Sequence, residues 1–164
     1  MKKSTLTTLI TFCVLIIIIA ACQSSKPVGR DGWLKGTTNE KLETVSRQLR
    51  GLDMAMVETG YRYQELYWAV QDTNWRYAHY QVEKLKSAME YALVRRPKRT
   101  EPAQEYLTVA LPAMEKVLDA KDVALFDKQF VELTKTCNDC HKREGVDYYK
   151  VAPPLHRQSP IRNN

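Results

Sequence analysis

Nowhere in these 164 residues does a strict alternation of apolar and polar side chains persist, and no segment recurs at a fixed period. Sheet architectures and repeat solenoids are therefore excluded at the outset. A basic stripe with interleaved aromatic residues is also missing: the 25 Lys and Arg and the 19 Asp and Glu are spread along the chain, which gives nucleic acid no footprint. Cysteine is scarce. Cys13 sits inside an apolar N-terminal run, Cys22 directly after it, and only Cys137 and Cys140 remain for a folded domain. In an oxidising compartment such a lone pair becomes a disulfide, binds a metal or carries haem.

What is present at the N-terminus reads as export. Lys2 and Lys3 precede an uncharged stretch from Ser4 to Ala21, rich in Leu and Ile, that ends in small residues and Cys22. That order of charge, apolar core and small-residue exit is a secretory signal, so residues 1–21 are expected to be removed. An uncleaved anchor is the rival, because the run is almost long enough to span a bilayer. Removing Lys2 and Lys3 leaves 23 bases against 19 acids, a net charge of +4. Ile19-Ala20-Ala21-Cys22 resembles the bacterial lipobox, which implies that Cys22 becomes a lipid-bearing first residue and that several acyl chains anchor it stably. Residues 22–38, with Ser24, Ser25, Pro27, Gly29, Gly32 and Gly36, have the composition of a flexible tether. Gln23 and Ser24 are not acidic, which by resemblance to enterobacterial sorting signals favours the outer membrane, with the protein on the periplasmic side.

From residue 39 to 145 apolar residues recur at spacings of three and four, which predicts an all-α domain. A first helix is expected from a cap at Asn39 to Gln71, with the stripe Leu42, Val45, Leu49, Leu52, Met56, Tyr63, Leu66 and Val70. A second, capped at Thr73, carries Trp75, Ala78, Val82, Leu85, Met89 and Leu93 to Arg96, where Pro97 stops it. A third begins at Thr100 as cap and runs to Ala120, with a kink or break near Leu111 imposed by Pro112. The fourth starts near Asp122, uses Val123, Phe126, Phe130, Leu133 and Cys137, and ends by Gly145. Near-heptad stripes favour nearly antiparallel packing, hence a four-helix bundle. Residues 146–164 are a Pro-rich tail, expected to be extended or loosely packed.

Cys137-Asn138-Asp139-Cys140-His141 is the pattern of covalent haem attachment. Two thiols about one helical turn apart reach the two vinyl groups on the same porphyrin edge, and the adjacent His ligates iron from below. Two other chemistries use the same residues. A zinc site would join Cys137, Cys140, His141 and His156, but zinc sites draw their second ligand pair from another tight knuckle, and His156 lies in the tail. A thioredoxin-type redox pair lacks any βαβ pattern around it.

A four-helix chain with this motif near the end of its last helix resembles the class II cytochromes c, including cytochrome c prime. The resemblance covers roughly residues 39–145. It implies one covalent haem c inside the bundle, a first helix that supplies the residue facing the far side of the iron, and the homodimers that class II relatives often form. Low-spin relatives offer Met there. Met54 and Met56 both lie in the right region but point about 160° apart. The apolar stripe selects Met56, and Gly60, one turn later, leaves room beside it. The pair Arg50 and Met54 instead reproduces an Arg-x-x-x-Met spacing of low-spin relatives, which makes Met54 the alternative.

The plain alternative for Met56 is ordinary core packing. His79 reads as a hydrogen-bonded boundary residue, Glu65 and Glu83 as surface charges, and Arg95, Arg96, Lys98 and Arg99 as a solvated basic turn that could meet a redox partner protein. No distal His with a neighbouring Arg is readable, so an electron carrier is expected rather than an enzyme. The second expectation is a five-coordinate haem protein that binds or senses NO or CO, as cytochrome c prime does.

Overall fold

A computed structural model describes residues 26–162; the leader, Cys13 and the lipobox with Cys22 lie outside the described residues. The chain divides into two compact units at the Arg50–Gly51 boundary. In the first, Val28 and Leu34 pair as an isolated antiparallel bridge (2.9 and 3.0 Å) around a short 3₁₀ turn, Arg30–Gly32, inside the span expected to be a tether. Helix α1 follows, Thr38–Gln48. Its cap is Thr37, not Asn39: the Thr37 side chain accepts from Glu40 N–H, and Glu40 reaches back to Thr37 N–H (2.7 Å), a reciprocal capping box. Leu42 (63% exposed), Val45 and Leu49 lie on the surface of this helix.

The expected first helix does not run unbroken to Gln71. Arg50 takes a left-handed backbone (φ 52°) and Gly51 an extended one, so the helix stops and restarts as α2, Leu52–Gln71. Gly51 is closely approached: a Cβ there would stand 2.8 Å from Arg96 Nε. Helix α3, Trp75–Arg95, is capped by Asn74, whose side chain accepts from Tyr77 N–H (3.1 Å). Thr73, the expected cap, is instead the left-handed turn residue (φ 56°). Pro97–Arg99 form a 3₁₀ turn into α4, Thr100–Glu105, and Thr100 is that helix's first residue without a side-chain cap bond before it.

The kink expected near Leu111 takes the form of a π-helical turn, Tyr106–Ala110, running into α5, Leu111–Ala120. Pro112 has no N–H to give and its ring would crowd the carbonyl four residues back; the wider π turn supplies the extra space without ending the rod. Asp122 caps α6, Val123–Arg143, as expected, accepting from Leu125 N–H (3.0 Å), and Gly145 ends it with φ +70°.

The second unit is thus an all-helical bundle of four rods: α2, α3, α4 with α5, and α6. Its core joins Leu66 and Val70, Val82, Leu85 and Met89, Leu111, Met114 and Leu118, and Phe126, Phe130 and Leu133, all buried. Helices α2 and α6 run antiparallel, since Tyr67 packs on Phe126 and Phe130 while Tyr63 stacks on Phe130 and hydrogen-bonds Thr134. The start of α2 and the end of α6 therefore share one end of the bundle. No helix among the described residues is long and apolar enough to cross a membrane.

Candidate functional site

Helix α6 positions the five-residue motif on its last two turns. Its end is fastened to α4 and the turn before it: Arg143 donates to Glu105 (3.2 Å) and to the Pro102 carbonyl (3.0 Å), and Arg99 pairs with Glu144. Arg99 is thereby part of the site's frame rather than a member of a wholly solvated basic turn. The thiols of Cys137 and Cys140 are free and unbridged. One turn apart, they do not share an environment: Cys137 packs against the core, where burial pushes its thiol up to about 12, while Cys140, nearer the surface, is raised less. A redox-active Cys pair needs a thiol whose ionisation is eased, and burial here opposes it.

Two buried phenols stand close enough to Cys137 to sense its charge. Tyr63, from α2, donates to Thr134 Oγ1 (2.6 Å), whose own proton goes to the Phe130 carbonyl (2.7 Å); burial raises the phenol to about 12. Tyr106, from the π turn, is fully buried, that burial pushes its pKa well up, and its hydroxyl has no hydrogen-bond partner. Thr59 Oγ1 on α2 is likewise buried and unpartnered. Unspent hydrogen-bonding capacity of this kind is uncommon in a packed interior.

His141 is partly exposed, and its Nδ1 lies 2.6 Å from the Tyr149 carbonyl. A carbonyl only accepts, so Nδ1 carries the proton and Nε2 keeps its lone pair for a metal. Asn138, in the middle of the motif, makes three further bonds: its Nδ2 donates to the Thr134 carbonyl (3.1 Å) and the Val151 carbonyl (3.0 Å), and its Oδ1 accepts from Val151 N–H (2.9 Å). The tail is therefore pinned, not loose. At its far end Arg157 grips Asp72 through two bonds (2.7 and 2.6 Å), donates to the Trp68 carbonyl (3.1 Å) and stacks over the Trp68 ring.

The antiparallel register of Tyr63 with Thr134 brings Met56, two turns nearer the start of α2, to the level of the motif. Met56 packs against the core; Met54 is 44% exposed and lines a groove of about 410 Å³ with Val57, Tyr61, Ala88 and Tyr91. The stripe and the structure agree on which Met faces inward. Gly60 is exposed, with open space where a Cβ would be.

The other candidates fall elsewhere. His79 Nε2 meets Asp119 (3.4 Å) at the boundary of α3, as expected of a structural His, and His156 is exposed in the tail. Among the described residues no three His, Cys, Asp or Glu side chains gather as a metal cluster, so His156 does not join the Cys pair. Glu83 is a surface charge paired with Lys84. Glu65 is not: it is only 3% exposed and accepts from the Tyr77 hydroxyl (2.8 Å), and burial together with this bond holds that phenol in its protonated form, its pKa raised. Asn138, Tyr149 and the Arg157–Asp72 grip were not singled out from the sequence. The middle positions of the motif are chemically unconstrained by it, and a backbone carbonyl leaves no mark in a sequence. Comparison with known proteins matches no family model, no curated sequence and no solved structure.

Proposed function

We propose that this chain is a membrane-tethered c-type cytochrome, similar to the class II cytochromes c, that carries single electrons on the periplasmic side of a bacterial membrane. Cys137 and Cys140 would hold one haem c through two thioethers and His141 would ligate its iron. The donor set fits: two free thiols one turn apart on a fixed helix end, and an adjacent imidazole whose Nε2 is left available. When bound, haem supplies an iron centre that gains and loses one electron.

The single observation that carries this reading is the His141 Nδ1 bond to the Tyr149 carbonyl. It fixes the tautomer and the ring's orientation and leaves Nε2 free to ligate, as the outer partner of a metal-bound His ordinarily does. The remaining residues bind and orient. Arg143 and Arg99 hold the motif's helix end, and Tyr63 and Phe130 wall the interior beside Cys137. Met56 is the proposed sixth ligand, with Met54 the alternative. Thioether ligation favours ferrous iron and raises the potential.

The test is expression of the exported chain with cytochrome maturation factors, followed by haem staining under denaturing conditions and oxidised and reduced spectra. Retained haem with a low-spin reduced spectrum and a far-red sulfur-to-iron band supports electron transfer through a His141–Met pair. Retained haem with a high-spin spectrum that shifts on adding CO would leave Met56 as apolar cover and support the gas-binding reading. A chain that takes up no covalent haem would sink both. Lipid on Cys22 is tested separately, by labelling with a radioactive fatty acid in wild type and Cys22→Ala.

A further inference from the structure

The C-terminal segment does more than trail from the bundle. Two closures follow the motif: Val146 N–H returns to the His141 carbonyl (2.9 Å), and Tyr149 N–H to the Val146 carbonyl (3.0 Å). Two residues later the backbone of Val151 meets Asn138 with both its N–H and its C=O. Tyr149 is thus held between a turn that starts at the motif and a clamp that returns to it. The carbonyl that accepts from His141 cannot be moved without opening one of these closures.

Resting on the haem reading above, we propose that Asn138 is the positioning residue for the iron ligand: by pairing with both backbone groups of Val151 it holds the Tyr149 carbonyl on His141 Nδ1 and so tunes the potential of the bound haem. Asn suits this task because its amide offers a donor and an acceptor side by side, matching the N–H and C=O of a single backbone residue. Its third bond, to the Thr134 carbonyl one turn back, fixes the amide's orientation on α6. A fixed carbonyl on Nδ1–H pushes electron density toward Nε2 and stabilises ferric iron. Freed from it, Nδ1–H would donate to exchanging water, and ferric iron would lose part of that support.

The experiment is the midpoint potential of haem-loaded wild type, Asn138→Ala, Val151→Pro and the double variant. Val151→Pro deletes the N–H that Asn138 receives, opening the same clamp from the other side. The expected result is a more positive potential in each single variant and no further rise in the double, the non-additivity of two residues that act through one contact. An unchanged potential in a haem-loaded single variant, or a double-variant shift equal to the sum of the singles, overturns the inference while leaving haem attachment intact. Should Asn138→Ala fail to load haem, Val151→Pro decides alone. A wild-type chain without covalent haem overturns the haem reading and this inference together.

Discussion

Tyr63 links the core of the bundle to the site. Its hydroxyl donates to Thr134, Thr134 donates to the Phe130 carbonyl, and the ring stacks on Phe130 with centroids 4.5 Å apart. Because burial raises the phenol to about 12, folding disfavours its ionisation. Its contribution to stability is complete below pH 10, the unfolded value, and drains away as pH rises from 10 toward 12. Tyr63→Phe should therefore be less stable than wild type by about 1 kcal/mol at pH 8, the worth of one buried bond, and the gap should narrow by pH 11. Urea unfolding at both pH values checks this, and a gap unaffected by pH would contradict it. At the two methionines the expectation is spectroscopic: Met56→Ala should abolish the low-spin signature of the haem-loaded protein and Met54→Ala should leave it. The reverse pattern would transfer the ligand to Met54. Which of the two faces inward was legible because only one residue falls on the apolar stripe, and burial follows the stripe. Glu65 shows where that reasoning stops. Its partner, Tyr77, belongs to the next helix, and a stripe drawn on one helix carries no information about hydroxyls arriving from another.

At the scale of the element, most helix ends were legible to within two residues, because Pro97, Asp122 and Gly145 each act through their own backbone or side chain. Asp122→Ala should cost about 1 kcal/mol, since it strips the acceptor from the Leu125 N–H at the head of the motif helix. Thermal unfolding of the variant measures it, and an unchanged midpoint would mean that the cap contributes nothing. Asn74 and Thr73 are both capping types, Asn the somewhat better one, so type alone leaves them close. The tie is broken by the left-handed turn at Thr73, which depends on how α2 and α3 pack and so was not readable locally. The break at Arg50 was missed for a related reason. The apolar spacing runs unchanged through Leu49 and Leu52, and a stripe does not register one left-handed residue between them. The π turn was legible in outline from Pro112, though its widened form depends on Tyr106 and Ala110 remaining buried while the chain makes room for the ring.

Across the whole second unit, the tail is a strap from the motif end to the α2–α3 turn. One attachment is the Asn138 clamp and the other is Arg157 on Asp72 and Trp68. A two-bonded, partly buried guanidinium–carboxylate pair is worth more than an exposed one, and losing one partner leaves the other charge stranded. Asp72→Ala should therefore release the far end of the strap. Limited trypsin digestion should then cut after Arg157 severalfold faster than in wild type, while the bond after Lys150, still held by the Asn138 clamp, keeps its rate; an unchanged rate at Arg157 would contradict the strap. None of this was legible, because proline-rich composition reports only that a segment is not helical. It says nothing of where its backbone is caught.

The central proposal is that Cys137-Asn138-Asp139-Cys140-His141 anchors haem at the end of α6. The most direct measurement is the mass and visible spectrum of the exported protein matured with haem, beside the double variant Cys137→Ala/Cys140→Ala. The account predicts one haem added to the wild-type mass that survives denaturation, with a linkage lost when both thiols are replaced. A wild-type mass equal to that of the bare polypeptide, or a full haem load in the doubly substituted chain, would contradict it.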